Sequence, residues 1–247
     1  MQLLTHDHAT PPELDTAIAR ALLLGVSEGR LGETVRVHTP ARVVAFGRHD
    51  VVTPGYDKAV AAARALDFEA VERIAGGRAA VFHPTTIALS WTLPLDDPVQ
   101  GIKERFDHIA GAIAVALAHL GVDARVGEVA GEYCPGEFTV NARGVTKLAG
   151  LGQRLARKAA HLGGVIVVGD SASVRDVLIP VYEALSLEWD PATAGAIEDE
   201  IGAVEQTQVV EAVIAALGLT DAESSAVDEE TMTLARSLAA DHLAPSE

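Results

Sequence analysis

The chain has 247 residues, 49% apolar and 22% charged, which is the make-up of one globular domain of ordinary enzyme size; aromatics are only 4%, so its core must be mostly aliphatic. The formal charge is −16, from 35 acidic and 19 basic residues, and this argues against a nucleic-acid binder, which would show a basic face. One cysteine rules out an intramolecular disulfide, and no stretch reads as a signal peptide or a membrane span, so a cytoplasmic protein is expected.

Taken in chain order, Thr10-Pro11-Pro12-Glu13 has the form of a capping box with prolines in the first turn, opening a helix to about Leu24. Glu33–Thr39 and Arg42–Phe46 read as strands split at Pro40, and the alternation of TVRVH predicts a half-buried strand. An alanine-rich helix over Asp57–Leu66 is followed by strand-like runs at Phe68–Arg73, Arg78–His83 and Thr86–Leu93. Apolar residues at helical spacing predict a helix over Ile102–Leu120, stopped at Gly121. Glu137–Asn141 and Val145–Ala149 form a hairpin pattern over Ala142-Arg143-Gly144. Strands at Gly152–Arg157 and His161–Val168 come next, with Gly163-Gly164 read as a bulge or bend, then a helix over Ser171–Leu185. Two more helices are expected, at about 197–218 and 226–243. Strands in hairpins with occasional helices predict an α+β fold with a central mixed or antiparallel sheet and flanking helices.

Charge divides the chain. Residues 190–247 carry 13 acids and one base, a net of −12, whereas residues 1–189 carry 22 acids and 18 bases, a net of −4. The expected organisation is a catalytic body over 1–190 and a small acidic helical tail over 191–247, its charge read as a solvated surface.

Three stretches can carry chemistry. In RIAGGRAAVFH, Gly76-Gly77 lets backbone approach a ligand, with Arg73 and Arg78 beside the turn and His83 after it; two guanidiniums and backbone N–H groups suit a carboxylate or phosphate, while the plain alternative is a tight turn with solvated arginines. In RGVTKLAGLGQRLARK, residues 143–158, five bases occur without an acid, and Lys147 stands before apolar, glycine-rich chain ending at Gly150 and Gly152. It is either an exposed strand lysine or a charge held near an activated carbonyl or a phosphate. In EYCPGE, Cys134 precedes Pro135-Gly136. A free cysteine is most often an inert core residue, but this setting argues for a loop, with Glu132 and Glu137 suggesting partial exposure. No HExxH, CxxC, GxSxG or P-loop pattern occurs among these residues, so no metal site is expected.

In order, these segments resemble the lipoate–protein ligase A and octanoyltransferase family of the biotin/lipoate attachment superfamily, over roughly residues 14–190. Phe46-Gly47-Arg48-His49-Asp50 is similar to the family's GRxQ/N strand end, with His-Asp where many members have Asn-Gln. Arg73 through His83 is similar to R-x-x-G-G-(G/R)-A-V-(F/Y)-H, and Asn141 through Gly150 to dG-(R/K)-K-(I/L)-(A/S)-G, with Gln153-Arg154 following. The resemblance implies the catalytic fold of biotin and lipoate ligases, which is like that of class II aminoacyl-tRNA synthetases, with an acyl tunnel. It implies that Arg73, Gly76, Gly77, Arg78, His83 and Gly150 bind substrate and that Lys147 meets the acyl carbonyl or an acyl-adenylate phosphate.

The family has two chemistries. Ligases activate lipoate with ATP and Mg²⁺; transferases pass octanoyl or lipoyl through a cysteine thioester and need no cofactor. Tyr133-Cys134-Pro135-Gly136-Glu137-Phe138 resembles the (F/Y)-C-P-G-x-(Y/F) loop of one transferase branch. The leading expectation is therefore a monomeric octanoyl or lipoyl transferase with Cys134 as nucleophile and Lys147 as its acid/base and oxyanion partner. Its partners would be lipoyl carrier domains, of a 2-oxoacid dehydrogenase subunit or the glycine-cleavage H protein, and an acyl carrier protein as a possible donor; no nucleic acid and no membrane are expected. The alternatives are an ATP-dependent lipoate ligase with an incidental cysteine and a non-catalytic acyl- or cofactor-binding protein.

Overall fold

The alternating strands build two sheets, seen in a computed structural model that describes residues 1–6 and 11–245. In chain order the elements are β1 (Gln2–Leu4), α1 (Glu13–Ser27), β2 (Thr34–His38), β3 (Val43–Phe46), α2 (Arg48–Val51), α3 (Tyr56–Arg64), β4 (Glu69–Glu72), β5 (Ala80–Phe82), β6 (Thr86–Pro94), α4 (Ile102–His119), β7 (Ala124–Val126), β8 (Val140–Ala142), β9 (Thr146–Ala156), β10 (Ala159–Val167), α5 (Ser171–Ala184), α6 (Ile197–Ile201), α7 (Gln206–Ala216), β11 (Ser224–Ser225) and α8 (Glu229–Leu238). The large sheet runs β11-β1-β2-β6-β10-β9-β8-β7 and is mixed; the small one runs β4-β3-β5. This is the expected α+β architecture.

One face of the large sheet is aliphatic. Val35, Val37, Ile87, Leu89, Leu162 and Ile166 pack against Ile109, Ile113 and Leu117 of α4 and Val209 and Val213 of α7. The other face carries the alternate residues, and it is polar: Thr34, Arg36 and His38 of β2, Ser90 and Thr92 of β6, His161 of β10. TVRVH therefore alternates as expected but is not half-exposed. All five residues are buried, because the polar set faces the interior, under α1 and the chain leading into β5.

Several expected features take a different form. The runs Val145–Ala149 and Gly152–Arg157 are one strand, β9, and Gly163-Gly164 lies in an unbroken ladder between β6 and β9 rather than in a bend. The short strands β1, β7 and β11, of which β7 and β11 are the edges of the large sheet, have too few residues to show a period. Thr10 lies outside the described residues; α1 begins at Glu13, after Pro11 and Pro12, and runs to Ser27. Chain after residue 190 is helical, but the charge step there is not a break in the core. Val209 and Val213 belong to the main core, β11 extends the large sheet, and Val227, Met232 and Ala235 pack on Leu14, Ile18 and Leu22 of α1. No described helix is long and apolar enough to cross a membrane.

Candidate active site

Two loops meet over the middle of β9. The first follows β4, from Arg73 to Ala79; the second carries Glu132 to Gly136. Gly77 has φ +99°, and a Cβ there would lie 2.6 Å from Arg73 Nη2 and 2.8 Å from Cys134 Sγ, so both backbone and space require glycine. Gly47 is required by the same turn, since its Cβ would strike the Gly77 carbonyl.

Cys134 is half-buried and has φ +43°, an unusual backbone for a non-glycine residue. Three contacts hold it there. The Tyr182 hydroxyl accepts the Cys134 N–H at 2.9 Å and donates to the Ala79 carbonyl at 3.0 Å, tying the two loops together. The Arg78 backbone N–H donates to Sγ at 3.1 Å, and Arg73 Nη2 approaches Sγ at 3.7 Å while donating to the Arg78 carbonyl at 2.7 Å. The thiol thus faces a peptide N–H and a guanidinium, both suited to a sulfur anion.

Lys147 reaches the same loop by a different route. Leu148 is an extra residue in β9: Val140 pairs with Ala149, yet Asn141 pairs with Lys147. This bulge brings Lys147 to the side of the strand occupied by Gly150, where a Cβ would sit 3.0 Å from Lys147 Cε. The ammonium donates to the carbonyls of Tyr133 at 3.0 Å and Cys134 at 2.8 Å and pairs with Glu132 at 2.9 Å. Those three acceptors match its three protons. Lys147 therefore anchors the loop backbone, and the thiol's donors are Arg78 N–H and Arg73 instead.

Glu132 does not mark exposure of the loop: it is itself buried, 3% exposed. Besides Lys147 it accepts hydrogen bonds from Gly136 N–H at 3.2 Å and Thr139 Oγ1 at 2.9 Å. Its role was missed because nothing in EYCPGE marks which acid is buried; the available signal was a lone lysine 15 residues on that needed a counter-charge. Glu137 is the exposed one, paired with Lys103. Tyr133 is buried, stacked edge-on to Trp189, and burial pushes its hydroxyl pKa well up, with the neighbouring charges of Cys134 and Glu132 adding to it.

Cys134, Arg73, Gly76, Gly77, Lys147 and Gly150 all line one cavity of about 540 Å³. Its walls are apolar, from Phe106 and Phe138 (stacked at 5.2 Å), Ile102, Leu151, Leu155 and Val165. Arg78 does not line the cavity: its backbone N–H reaches Sγ, and its side chain turns away to the buried Asp50 at 3.2 Å. His83 is not among the lining residues. It is 1% exposed with Nδ1 2.9 Å from Thr85 Oγ1, and burial holds its pKa down at about 4. The basic run 143–158 is not one patch either: Arg143 pairs with Glu200, Lys147 is buried, and Arg157 and Lys158 form the far turn of an 11-residue strand. Among the described residues no group of three or more His, Cys, Asp or Glu side chains is placed to hold a metal ion.

A sequence model of the lipoyl protein ligase A/B catalytic domain matches residues 11–218. An octanoyl-[GcvH]:protein N-octanoyltransferase of Geobacillus kaustophilus is 28% identical over 174 residues, 70% of this chain and 61% of that relative, so the match spans under two thirds of the relative's length. The protein of the same name from an Exiguobacterium species is 26% identical over 215 residues, 81% of this chain and 76% of its own. In structure, the chain superposes on a lipoate protein ligase of T. acidophilum with bound lipoic acid, with TM-score 0.75 and 19% identity over 97% of this chain and 95% of that one. A lipoate-protein ligase A bound with ATP gives TM-score 0.77 and 18% identity over 97% and 94%. These two show that the fold is shared. The family model covers most of the chain, and the chain belongs to the lipoyl protein ligase A/B catalytic domain family.

Proposed function

We propose that this chain transfers an acyl group of about octanoyl size between lipoyl carrier domains through a thioester on Cys134. The observation that carries this reading is the thiol's setting: a cysteine on a strained loop, with Sγ receiving the Arg78 N–H beside the Arg73 guanidinium, at the wall of an apolar cavity. Curated relatives are named for moving octanoyl from GcvH to another protein. By the same scheme, the donor here is an octanoylated H protein of the glycine-cleavage type, and the acceptor is a lysine of another lipoyl domain.

The sulfur attacks the acyl carbonyl carbon, so the Sγ–C bond forms and the donor's lysine N–C bond breaks; the lysine leaves as an amine carrying the thiol's proton. The acceptor lysine then attacks the thioester, an N–C bond forms, and sulfur leaves and regains a proton. One difficult exchange becomes two easier ones. Acylated sulfur no longer needs both donors, which frees the Arg78 N–H and Arg73 for the developing oxyanion; one such donor is worth about 2.7–4 kcal/mol in a dry site. Lys147 and Glu132 act as positioning residues that fix the loop's carbonyls. One amide replaces another, so the balance requires no ATP. The test is transfer from an octanoylated H protein to a lipoyl domain without ATP. Transfer is expected, and modification only with free lipoate and ATP would contradict the reading.

A further inference from the structure

A groove of about 540 Å³ lies beside the cysteine cavity, between α1, α2, the end of β9 and the last turn of the chain, and Arg73 and Leu155 line both spaces. Its charge is opposite to that of the whole molecule. Arg20, Arg48, Arg73 and Arg154 line it against two acids, Glu72 and Asp241, which makes a local +2 with His242 neutral, in a chain of formal charge −16.

These arginines are not equally engaged. Arg20 pairs with Asp241 at 3.0 Å, and Arg73 donates to the Arg78 carbonyl and approaches Sγ. Arg48, which opens α2, and Arg154, in β9, are exposed, and neither side chain has a hydrogen bond or ion pair among the described residues. The acyl transfer itself uses neither of them. Val52 lines the same groove and is 74% exposed. Unpaired guanidiniums beside an uncovered aliphatic side chain have the composition of a protein-binding surface. Elsewhere around the thiol the bases are matched: Arg78 pairs with Asp50, Lys103 with Glu137 and Lys147 with Glu132. The unmatched positive charge near Cys134 therefore lies on the groove side.

The reaction also requires a surface there. The acyl group occupies the cavity, so the body of the carrier domain stays outside and its lysine reaches in. Arg73, 3.7 Å from Sγ, faces both the thiol and the groove.

We propose that this groove docks the carrier domain, whose carboxylates beside the acyl-bearing lysine pair with Arg48 and Arg154 while an apolar side chain of the carrier covers Val52. This rests on reading the chain as an acyltransferase. Donor and acceptor meet one thiol in turn, so both use the same groove and each excludes the other. An acidic carrier is repelled by the net charge of this protein, and the local positive groove steers it to the one face where its lysine can react.

The test is equilibrium binding of an unacylated H protein to the full chain at low and at physiological salt. Acylation of Cys134 by octanoyl-N-acetylcysteamine, a small neutral thioester, is measured on the same preparations. Binding is expected, and it should weaken as salt rises. The double variant Arg48→Glu/Arg154→Glu should weaken it by at least about tenfold and raise KM for an octanoylated H protein with kcat nearly unchanged, while acylation by the small thioester stays within about twofold. An H protein with lysines in place of the carboxylates beside its own lysine should bind the double variant better than it binds the unaltered chain. Absence of binding to the unaltered chain, or binding unchanged in the double variant, would overturn the proposal. So would an equal loss with H protein and small thioester, which would place the two arginines in the acyl site. Failure of the small thioester to acylate Cys134 in the unaltered chain would count against the transferase reading, whereas the binding comparison decides the docking surface without it.

Discussion

At the scale of single residues, the site is a cysteine held in place by its neighbours' charges. The buried pair Glu132–Lys147, with side chains 0% and 2% exposed, holds the loop from inside. Replacing Glu132 by Gln strands an ammonium, so stability should fall by about 3–5 kcal/mol in urea denaturation, and the second change Lys147→Met should recover part of it. A pair that behaved additively would show that the two are not coupled. Gly77→Ala tests the thiol's placement. It must displace Arg73 or Sγ, and acylation of Cys134 should slow by about 10²-fold with the fold retained by circular dichroism. These residues differ in how plainly they could be read. Gly76-Gly77, Arg73 and Cys134 announce themselves by residue type and local pattern. Glu132 does not, because burial of an acid depends on a lysine that only the β9 bulge brings to it.

At the scale of elements, the period-2 alternation of TVRVH in β2 was legible, and it sorts that strand's aliphatic face from its polar one. What it leaves open is whether the polar face meets water or a cavity. In TVRVH it meets a cavity, because α1 lies over it and supplies Asp15. The same burial has a pH consequence. His83 and His161 have pKa values held near 4, both mainly by burial, with the Arg36 charge adding to the effect at His161. Above pH 6.5 neither state binds these protons, and no stability difference arises. Below it the unfolded chain is protonated first, so stability falls as pH drops from about 6.5 to about 4, by a maximum of about 3 kcal/mol for each histidine. Urea midpoints at pH 7 and pH 5 should show this loss, and His161→Gln should reduce it. A loss unchanged in that variant would show that His161 does not contribute.

At the scale of the whole molecule, the acidic C-terminal chain is part of the body's packing. α8 covers α1, the Ala244 N–H donates to the Ala70 carbonyl, and Arg64 donates to the carbonyls of Ala244 and Pro245, clamping the last turn to the strand that leads into Arg73. A chain ended at residue 218 should lose cooperative melting, because Leu14, Ile18 and Leu22 would be uncovered; an unchanged melting temperature would contradict this. The step in charge at residue 190 was plain in the sequence, but the core does not follow it. Charge reports on surface, while the core is set by the few apolar positions of α7 and α8. The Cys134 thioester is tested by intact-protein mass spectrometry after mixing with an octanoylated H protein, without ATP. One octanoyl adduct is expected, released by hydroxylamine and lost in Cys134→Ser together with more than about 10³-fold of transfer activity. An adduct that persists in Cys134→Ser, or transfer at full rate without it, would rule out Cys134 as the acyl carrier.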